Sequence, residues 1–328
     1  MKMNKMLNNE IANDIMQSVS AQFNLTIDKF TEIQRGWLNL KWKIETNHGY
    51  FLVKQYHKER FKKYQPESLH YALQQQNLLH KSGIPCSRIL SRKGEFFQFS
   101  NEGEQFIVMD FCDGKILKPE TLLEEHMYDL GKATGLMHNQ LNTTTSIKHS
   151  PQFKIPTIEE RLKHWDIILI ACQKNGKHHL LPIIENQISA TKRINLDDFF
   201  FCPTGWSHRD LWTDNLLFNE CSLSAILDFD RLNYDYLDLD VARAIASCTL
   251  QNGEFNRLLV KAFIKGYRQN REFSSGMLKR SLELLWFMES AWWINENMDE
   301  LNSSALRFAE EMKWLATMII YDNFPSET

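Results

Sequence analysis

The stretch that decides the reading is His208-Arg209-Asp210-Leu211-Trp212-Thr213-Asp214-Asn215, followed by the apolar run Leu216-Leu217-Phe218. A second apolar run then delivers another acid in Ile226-Leu227-Asp228-Phe229-Asp230. The runs Leu216–Phe218 and Ser224–Leu227 read as the strands of a β-hairpin that sets Asn215 beside Asp228. These residue types answer a specific chemical need. A phosphoryl group in transfer carries negative charge that a cation must neutralise, and Mg²⁺ prefers hard oxygen donors. Asp228 offers a carboxylate and Asn215 a neutral amide oxygen. Asp210 is placed to accept a hydrogen bond from an attacking hydroxyl and to take its proton late. His208 reads as a packing residue that hydrogen-bonds the loop backbone. Asp and Asn are common in turns, so each piece alone says little; the ordered set is selective.

Upstream, Lys41–Thr46 alternates polar and apolar residues, Asn47-His48-Gly49 turns the chain, and Tyr50–Tyr56 returns as a strand. This is a hairpin pattern. Lys54 lies on the returning strand, where a nucleotide-binding lobe places the lysine that meets α/β phosphates. Gly36 and Asn39, in Arg35-Gly36-Trp37-Leu38-Asn39, are candidates for a phosphate loop. A helix is expected over Asn8–Phe23 and another over Pro66–Lys81, the latter ended by Gly83. Ile84–Leu90, Glu95–Ser100 and Gln105–Met109 read as three further strands. Beyond Asp113-Gly114 helices are expected over Pro119–Gln140, Thr157–Lys174 and Leu180–Leu196, and nearly everything after Phe229 is helical in pattern. The expected organisation is α+β: a β-rich lobe over 1–108, a hinge over 109–114, and a mainly helical lobe over 115–328.

Composition bounds the possibilities. With 328 residues, 43% hydrophobic and 24% charged, the chain has the make-up of a globular protein of about two domains. A net charge of −3 argues against a dedicated nucleic-acid or anionic-membrane binder. The N-terminus lacks the pattern of a signal peptide, and no apolar run is long enough to span a bilayer. The six cysteines, Cys86, Cys112, Cys172, Cys202, Cys221 and Cys248, form no CxxC pair and read as reduced, mostly buried thiols. A cytoplasmic protein, monomeric or homodimeric, is expected.

Taken together, these motifs resemble the aminoglycoside phosphotransferase/choline kinase superfamily, which has a protein-kinase-like two-lobed fold. The resemblance runs roughly from Glu32 to Ala246. It includes Gly36 with Asn39, Lys54, Gly83-Ile84-Pro85, the hinge-like Met109-Asp110-Phe111-Cys112, and Leu130–His138, similar to the family's first large-lobe helix. The resemblance implies a kinase in which Asp210 is the catalytic base, Asn215 and Asp228 hold Mg²⁺, Lys54 binds ATP phosphates, and the backbone of Met109, Phe111 and Cys112 meets adenine. Glu67 is then the nearest candidate to pair with Lys54, since Gln74–Gln76 fill the next turn. Asp230 stands where protein kinases carry the Gly of a DFG motif, and no room follows for an activation segment, which matches the family's small-molecule kinases. Asp240 is placed to brace the catalytic loop or to cap its own helix.

The acceptor implied is a hydroxyl on a small molecule, with amine-bearing alcohols of aminoglycoside, choline or homoserine type as the class considered. The acids Asp214, Asp230, Asp235 and Asp238 could attract a cation. Trp286, Glu289 and Trp293 recur at helical spacing and are candidates for an ammonium cage, although an aromatic stripe ordinarily belongs to a core; Trp212, inside the catalytic loop, is a further candidate substrate residue. The competing reading is a catalytically idle kinase-like binding protein of spore-coat type.

Overall fold

The computed structural model describes residues 2–34, 39–61, 66–143, 149–301 and 303–327. Gly36 therefore lies outside the described residues. The chain forms two compact units, Met1–Gly114 with Ser224–Arg231, and Lys115–Leu223 with Leu232–Thr328.

In the first unit, α1 (Lys2–Phe23) precedes β1 (Ile27–Glu32), β2 (Lys41–Thr46) and β3 (Gly49–Gln55); a short helix α2 (Lys58–Phe61) and α3 (Pro66–Lys81) precede β4 (Gln98–Phe99) and β5 (Gln105–Asp110). The five strands form one antiparallel sheet in the order β1-β2-β3-β5-β4. Period-two alternation divides its residues between two faces. Phe51, Val53, Phe106 and Val108 meet Ile15, Met16 and Val19 of α1. Leu52, Ile107 and Met109 share the other face with Tyr56 and with Leu69 and Leu73 of α3. That second face is the one that carries Lys54. The expected β2–β3 hairpin forms, with Lys41 opposite Lys54 and Thr46 opposite Gly49. Helix α3 has the expected bounds. It ends because Gly83 takes φ +85°, and Ile84 N donates back to Leu79 O, a glycine-based helix stop.

One expected strand is absent. Ile84–Leu90 is irregular, with a single bridge between Ile89 and Met109. Only its end meets β5, where Leu90 N donates to Val108 O and Arg88 O accepts from Asp110 N; further back, Asn77 on α3 takes both Ile89 N and Ile89 O, and Pro85 O accepts from Ile226 N. Of Glu95–Ser100, only Gln98–Phe99 pairs as strand.

The second unit contains α4 (Glu124–Thr143), α5 (Ile158–Lys174), α6 (Leu181–Thr191), β6 (Thr204–Ser207) and β7 (Leu216–Phe218); β8 (Leu223–Ile226) passes after its first residue into the first unit; and the second unit resumes with β9 (Asn233–Tyr236), α7 (Leu237–Thr249), β10 (Leu250–Gln251), β11 (Glu254–Phe255), α8 (Arg257–Tyr267), α9 (Met277–Trp293) and α10 (Ser303–Tyr321). The expected helix from Pro119 begins only at Glu124. Pro119–Thr121 is a 3-10 turn, and His126 Nδ1 accepts from Leu123 N across the break. The helix expected to reach Leu196 stops at Thr191, and Leu196–Phe201 forms a separate 3-10 segment capped by Asn195.

Two glycines set the closest helix crossing. A Cβ at Gly131 on α4 would collide with the carbonyl of Phe263 on α8, and one at Gly266 with the carbonyl of Tyr128. Only residues without a side chain let these backbones meet. The crossing brings His138 of α4 to Tyr267 of α8, with Nδ1 3.0 Å from the hydroxyl. All six cysteines are free thiols, four of them buried. Among the described residues no helix is long and apolar enough to cross a membrane.

Candidate active site

The loop after β6 carries Asp210 in a conformation the local sequence does not favour. Arg209 has φ +65°, a left-handed setting that costs a non-glycine residue about 1 kcal/mol or more. The compensation comes from α7. Asp240 Oδ2 accepts from His208 N at 2.7 Å and Oδ1 from Arg209 N at 2.7 Å. His138 Nε2 adds a third contact at 3.1 Å. The residue that caps α7 is Tyr236, so Asp240 braces the loop instead of capping its own helix. Burial opposes its charge, but His138, His208 and Arg209 outweigh burial and hold its carboxyl below the usual range.

The loop is tied down at further points. Arg209 pairs with the buried Asp235 at 2.9 Å. Thr213 N donates to Ser247 Oγ at 3.0 Å, and Arg307 Nη1 donates to Thr213 Oγ1 at 2.7 Å. His208 is fully buried, and its Nδ1 accepts from Asp210 N, the backbone-supporting place expected for it. Asn215 Nδ2 donates to both Asp210 O (2.9 Å) and Asp210 Oδ2 (2.8 Å). One hydrogen bond thus aligns the Asp210 carboxylate, and Asn215 keeps its carbonyl oxygen for another use.

In the first unit, Lys54 is buried and its Nζ meets Asp228 Oδ1 at 2.8 Å and Asp230 Oδ2 at 2.7 Å. Tyr56 OH donates to Asp230 Oδ1 at 3.0 Å. Burial works against the Lys54 charge, yet Asp228 and Asp230 hold its pKa well above the ordinary value. Burial pushes the Asp230 carboxyl up against the pull of Lys54. Asp228 stands at φ +59°. Glu67 is exposed in the first turn of α3 and is not brought to Lys54. The reason is register: the buried face of α3 is Leu69, Ala72, Leu73, Gln76 and Leu79. Asn39 is buried, and its Oδ1 accepts from His57 N. In the hinge-like segment Asp110 N is spent on Arg88 O and Phe111 N on Tyr50 O. Met109 sits in the β3–β5 ladder. Cys112 N is thus the segment's backbone donor without a protein partner among the described residues.

The expected acceptor residues are used otherwise. Asp230 is committed to Lys54 and Tyr56. Asp235 is held by Arg209, and Asp238 by Arg280. Trp286 has no exposed surface and donates its Nε1 to Gln187. Glu289 and Glu311 both pair with the buried Arg243, so Glu289 is already neutralised. The ammonium cage of Trp286, Glu289 and Trp293 therefore does not form. Trp293 stacks on Phe308 with centroids 4.7 Å apart, and Trp212 lies on the same ring at 5.0 Å. The residues that sequence reasoning missed are Tyr56, Ser247, Arg307 and the role of Asp230. Tyr56 alone carried a signal, two places beyond Lys54 and hence on its face of the sheet.

A family model described as the APH phosphotransferase enzyme family matches residues 29–273. The homoserine kinase of Sinorhizobium medicae is 23% identical over 254 residues, covering 76% of this chain and 73% of its own. An aminoglycoside phosphotransferase from Alicyclobacillus acidocaldarius superposes with a TM-score of 0.68 at 13% identity, covering 93% of this chain and 94% of its own. The amicoumacin kinase hAmiN, solved with AMP-PNP, Ca²⁺ and Ami, gives 0.64 at 14% identity over 94% and 93%. The α+β fold is kinase-like.

Proposed function

Because the chain belongs to the APH phosphotransferase enzyme family and is a small-molecule kinase, we propose that it transfers the γ-phosphate of ATP to a hydroxyl of a small amine-bearing alcohol. The observation that carries this reading is the Asp210–Asn215 pair, held by the buried Asp240 brace. Asp210 accepts the hydrogen bond of the acceptor hydroxyl and takes its proton as the new O–P bond forms. Lys54, kept protonated by Asp228 and Asp230, meets nucleotide phosphates. Cys112 N is the backbone donor proposed for adenine.

The donors, each taken by its own chemistry, suit a divalent cation of Mg²⁺ type. Asn215 supplies a carbonyl oxygen because its amide N–H groups are spent on Asp210, and Asp228 supplies a carboxylate; both are hard donors. Such a cation, when bound, neutralises phosphate charge.

Homoserine is the first acceptor to test, since the homoserine kinase relative is aligned over three-quarters of this chain. A coupled ATP-consumption screen over homoserine, choline, aminopropanol and aminoglycosides, with Asp210→Ala as the blank, tests the reading. One acceptor should give turnover well above the blank. Consumption that is equal in wild type and Asp210→Ala for every acceptor refutes it.

A further inference from the structure

We propose that Asp230, and not a residue of α3, is the carboxylate that positions Lys54. The proposal deepens the nucleotide-site reading and rests on it for the role of Lys54. Kinase-like folds use a helix glutamate for this task, but the face of α3 turned to the core is apolar here. Leu69 and Leu73 pack in the same cluster as Tyr56 and Met109, Gln76 is spent on Ser87 O, and Glu67 is exposed.

The two carboxylates at Lys54 are not equivalent. The Asp230 side chain is 6% exposed and the Asp228 side chain 29%. Both Asp230 oxygens are committed, Oδ2 to Lys54 at 2.7 Å and Oδ1 to Tyr56 OH at 3.0 Å. Tyr56 is itself fixed by edge contacts to Phe61 and Phe97, with centroids 5.8 and 5.4 Å away. Asp230 thus sits in a locked frame with Lys54 as its cation among the described residues. Asp228 is more exposed and also lies 4.0 Å from Lys41 Nζ. A dedicated partner at 230 lets Asp228 exchange Lys54 for another positive group without leaving the buried ammonium unpaired. Chain economy explains the placement: the segment after β8 that carries Asp228 turns at once into a 3-10 stretch, Phe229–Arg231, that carries Asp230, so α3 does not have to supply the charge.

A double-mutant cycle between Asp230→Asn and Lys54→Met separates this role from its rivals. Two quantities are read: the melting temperature of the protein without nucleotide, and the Kd for ATP in EDTA. Working in EDTA removes any effect Asp230 could have through a cation. In the otherwise wild-type chain, Asp230→Asn should lower the melting temperature and weaken ATP by about ten-fold, the loss expected of one misplaced charged contact. In the Lys54→Met chain it should raise the melting temperature, because it removes a buried carboxylate that has lost its cation, and should change ATP binding by less than about two-fold. Tyr56→Phe should give a smaller shift of the same sign in both readouts, and it reports on the frame if Asp230→Asn alone fails to fold. Equal losses in both backgrounds, or an ATP Kd unmoved by Asp230→Asn, overturn the proposal. If Lys54→Met by itself leaves the ATP Kd unchanged, the nucleotide reading of Lys54 fails, and the inversion in melting temperature alone decides on Asp230.

Discussion

Replacing Asp240 by asparagine changes one atom and removes the brace under the catalytic loop. The carboxylate is 1% exposed and receives His208 N and Arg209 N, each at 2.7 Å, and His138 Nε2 at 3.1 Å. Asparagine keeps one acceptor oxygen, which can serve Arg209 N. Its amide nitrogen then faces His208 N–H, donor against donor. His138 can change tautomer and accept, but the backbone N–H cannot adapt. One buried donor left unpaired next to a lost charge costs about 2–3 kcal/mol. Alanine abandons all three donors and should cost about 4–6 kcal/mol, a large part of the stability of an ordinary domain. For a unit of roughly 200 residues this corresponds to a melting-temperature loss of about 5–10 °C for asparagine and 10–20 °C for alanine. Thermal unfolding followed by circular dichroism measures it. The asparagine variant should also lose most of its turnover, because the loop loses its anchor at His208 N, two residues before Asp210. The acid limb gives a second check. The folded Asp240 carboxyl lies below its usual range, so its stabilisation is complete above the unfolded value near 3.9 and disappears as pH falls through the lower folded value. The gap between wild type and Asp240→Asn should be constant above about pH 5 and close in stronger acid. A gap under about 2 °C at pH 7 would refute the brace.

Other consequences are read in the same assays. Asp210→Ala should abolish phosphoryl transfer while leaving ATP binding within about two-fold of wild type; unchanged turnover would remove Asp210 from the chemistry. Arg243→Ala leaves Glu289 buried without its cation and Glu311 with Arg307 alone and should cost about 3–5 kcal/mol in chemical denaturation, whereas Arg243→Ala with both glutamates changed to glutamine should recover most of it. Glu283 is driven up to about 7 by burial, with Asp198 and Asp322 adding to it and Lys279 opposing. A raised carboxyl costs stability as pH climbs from its unfolded value to its folded one, so Glu283→Gln should be neutral near pH 4 and stabilising by about 2–3 kcal/mol near pH 8. A gain that does not vary with pH would show that the Glu283 charge is not its source.

The local rules were legible in the sequence and the long-range ones were not. The β2–β3 hairpin and α3 followed from alternation, turn residues and a stopping glycine, because each depends on neighbours in the chain. Ile84–Leu90 failed as a strand for the opposite reason. Its residues are suited to a strand, but only Arg88 and Leu90 bond to β5, while Asn77 claims the backbone of Ile89 and Ile226 that of Pro85, and neither is a neighbour in sequence. The catalytic loop was legible as residue types, and its Asp240 brace as an acid at the start of a helix. What the pattern could not supply was the pairing of charges. Glu289 looked available for an ammonium group until Arg243 was found on it. Asp235 and Asp238 looked like substrate attractors until Arg209 and Arg280 were found on them. A charge in a sequence has a sign and a position along the chain, but its meaning depends on a partner that folding brings from elsewhere.

The same reasoning explains why the two acids closest to the proposed chemistry sit beside the strained backbone. Arg209 immediately precedes Asp210, and Asp228 is itself strained, both at positive φ. Neither residue is glycine, so each conformation costs free energy that local sequence does not return. At Arg209 the return comes from its own backbone bond to Asp240, the neighbouring one from His208 N, and an ion pair with Asp235; at Asp228 it comes from Lys54. The arrangement makes the aim of each acid depend on a buried partner distant in the chain. A substitution at such a partner therefore disturbs the acid without touching it. Asp240 and Asp230, neither of which is proposed to contact an acceptor, are consequently the positions where conservative changes should separate what holds the chemistry from what performs it.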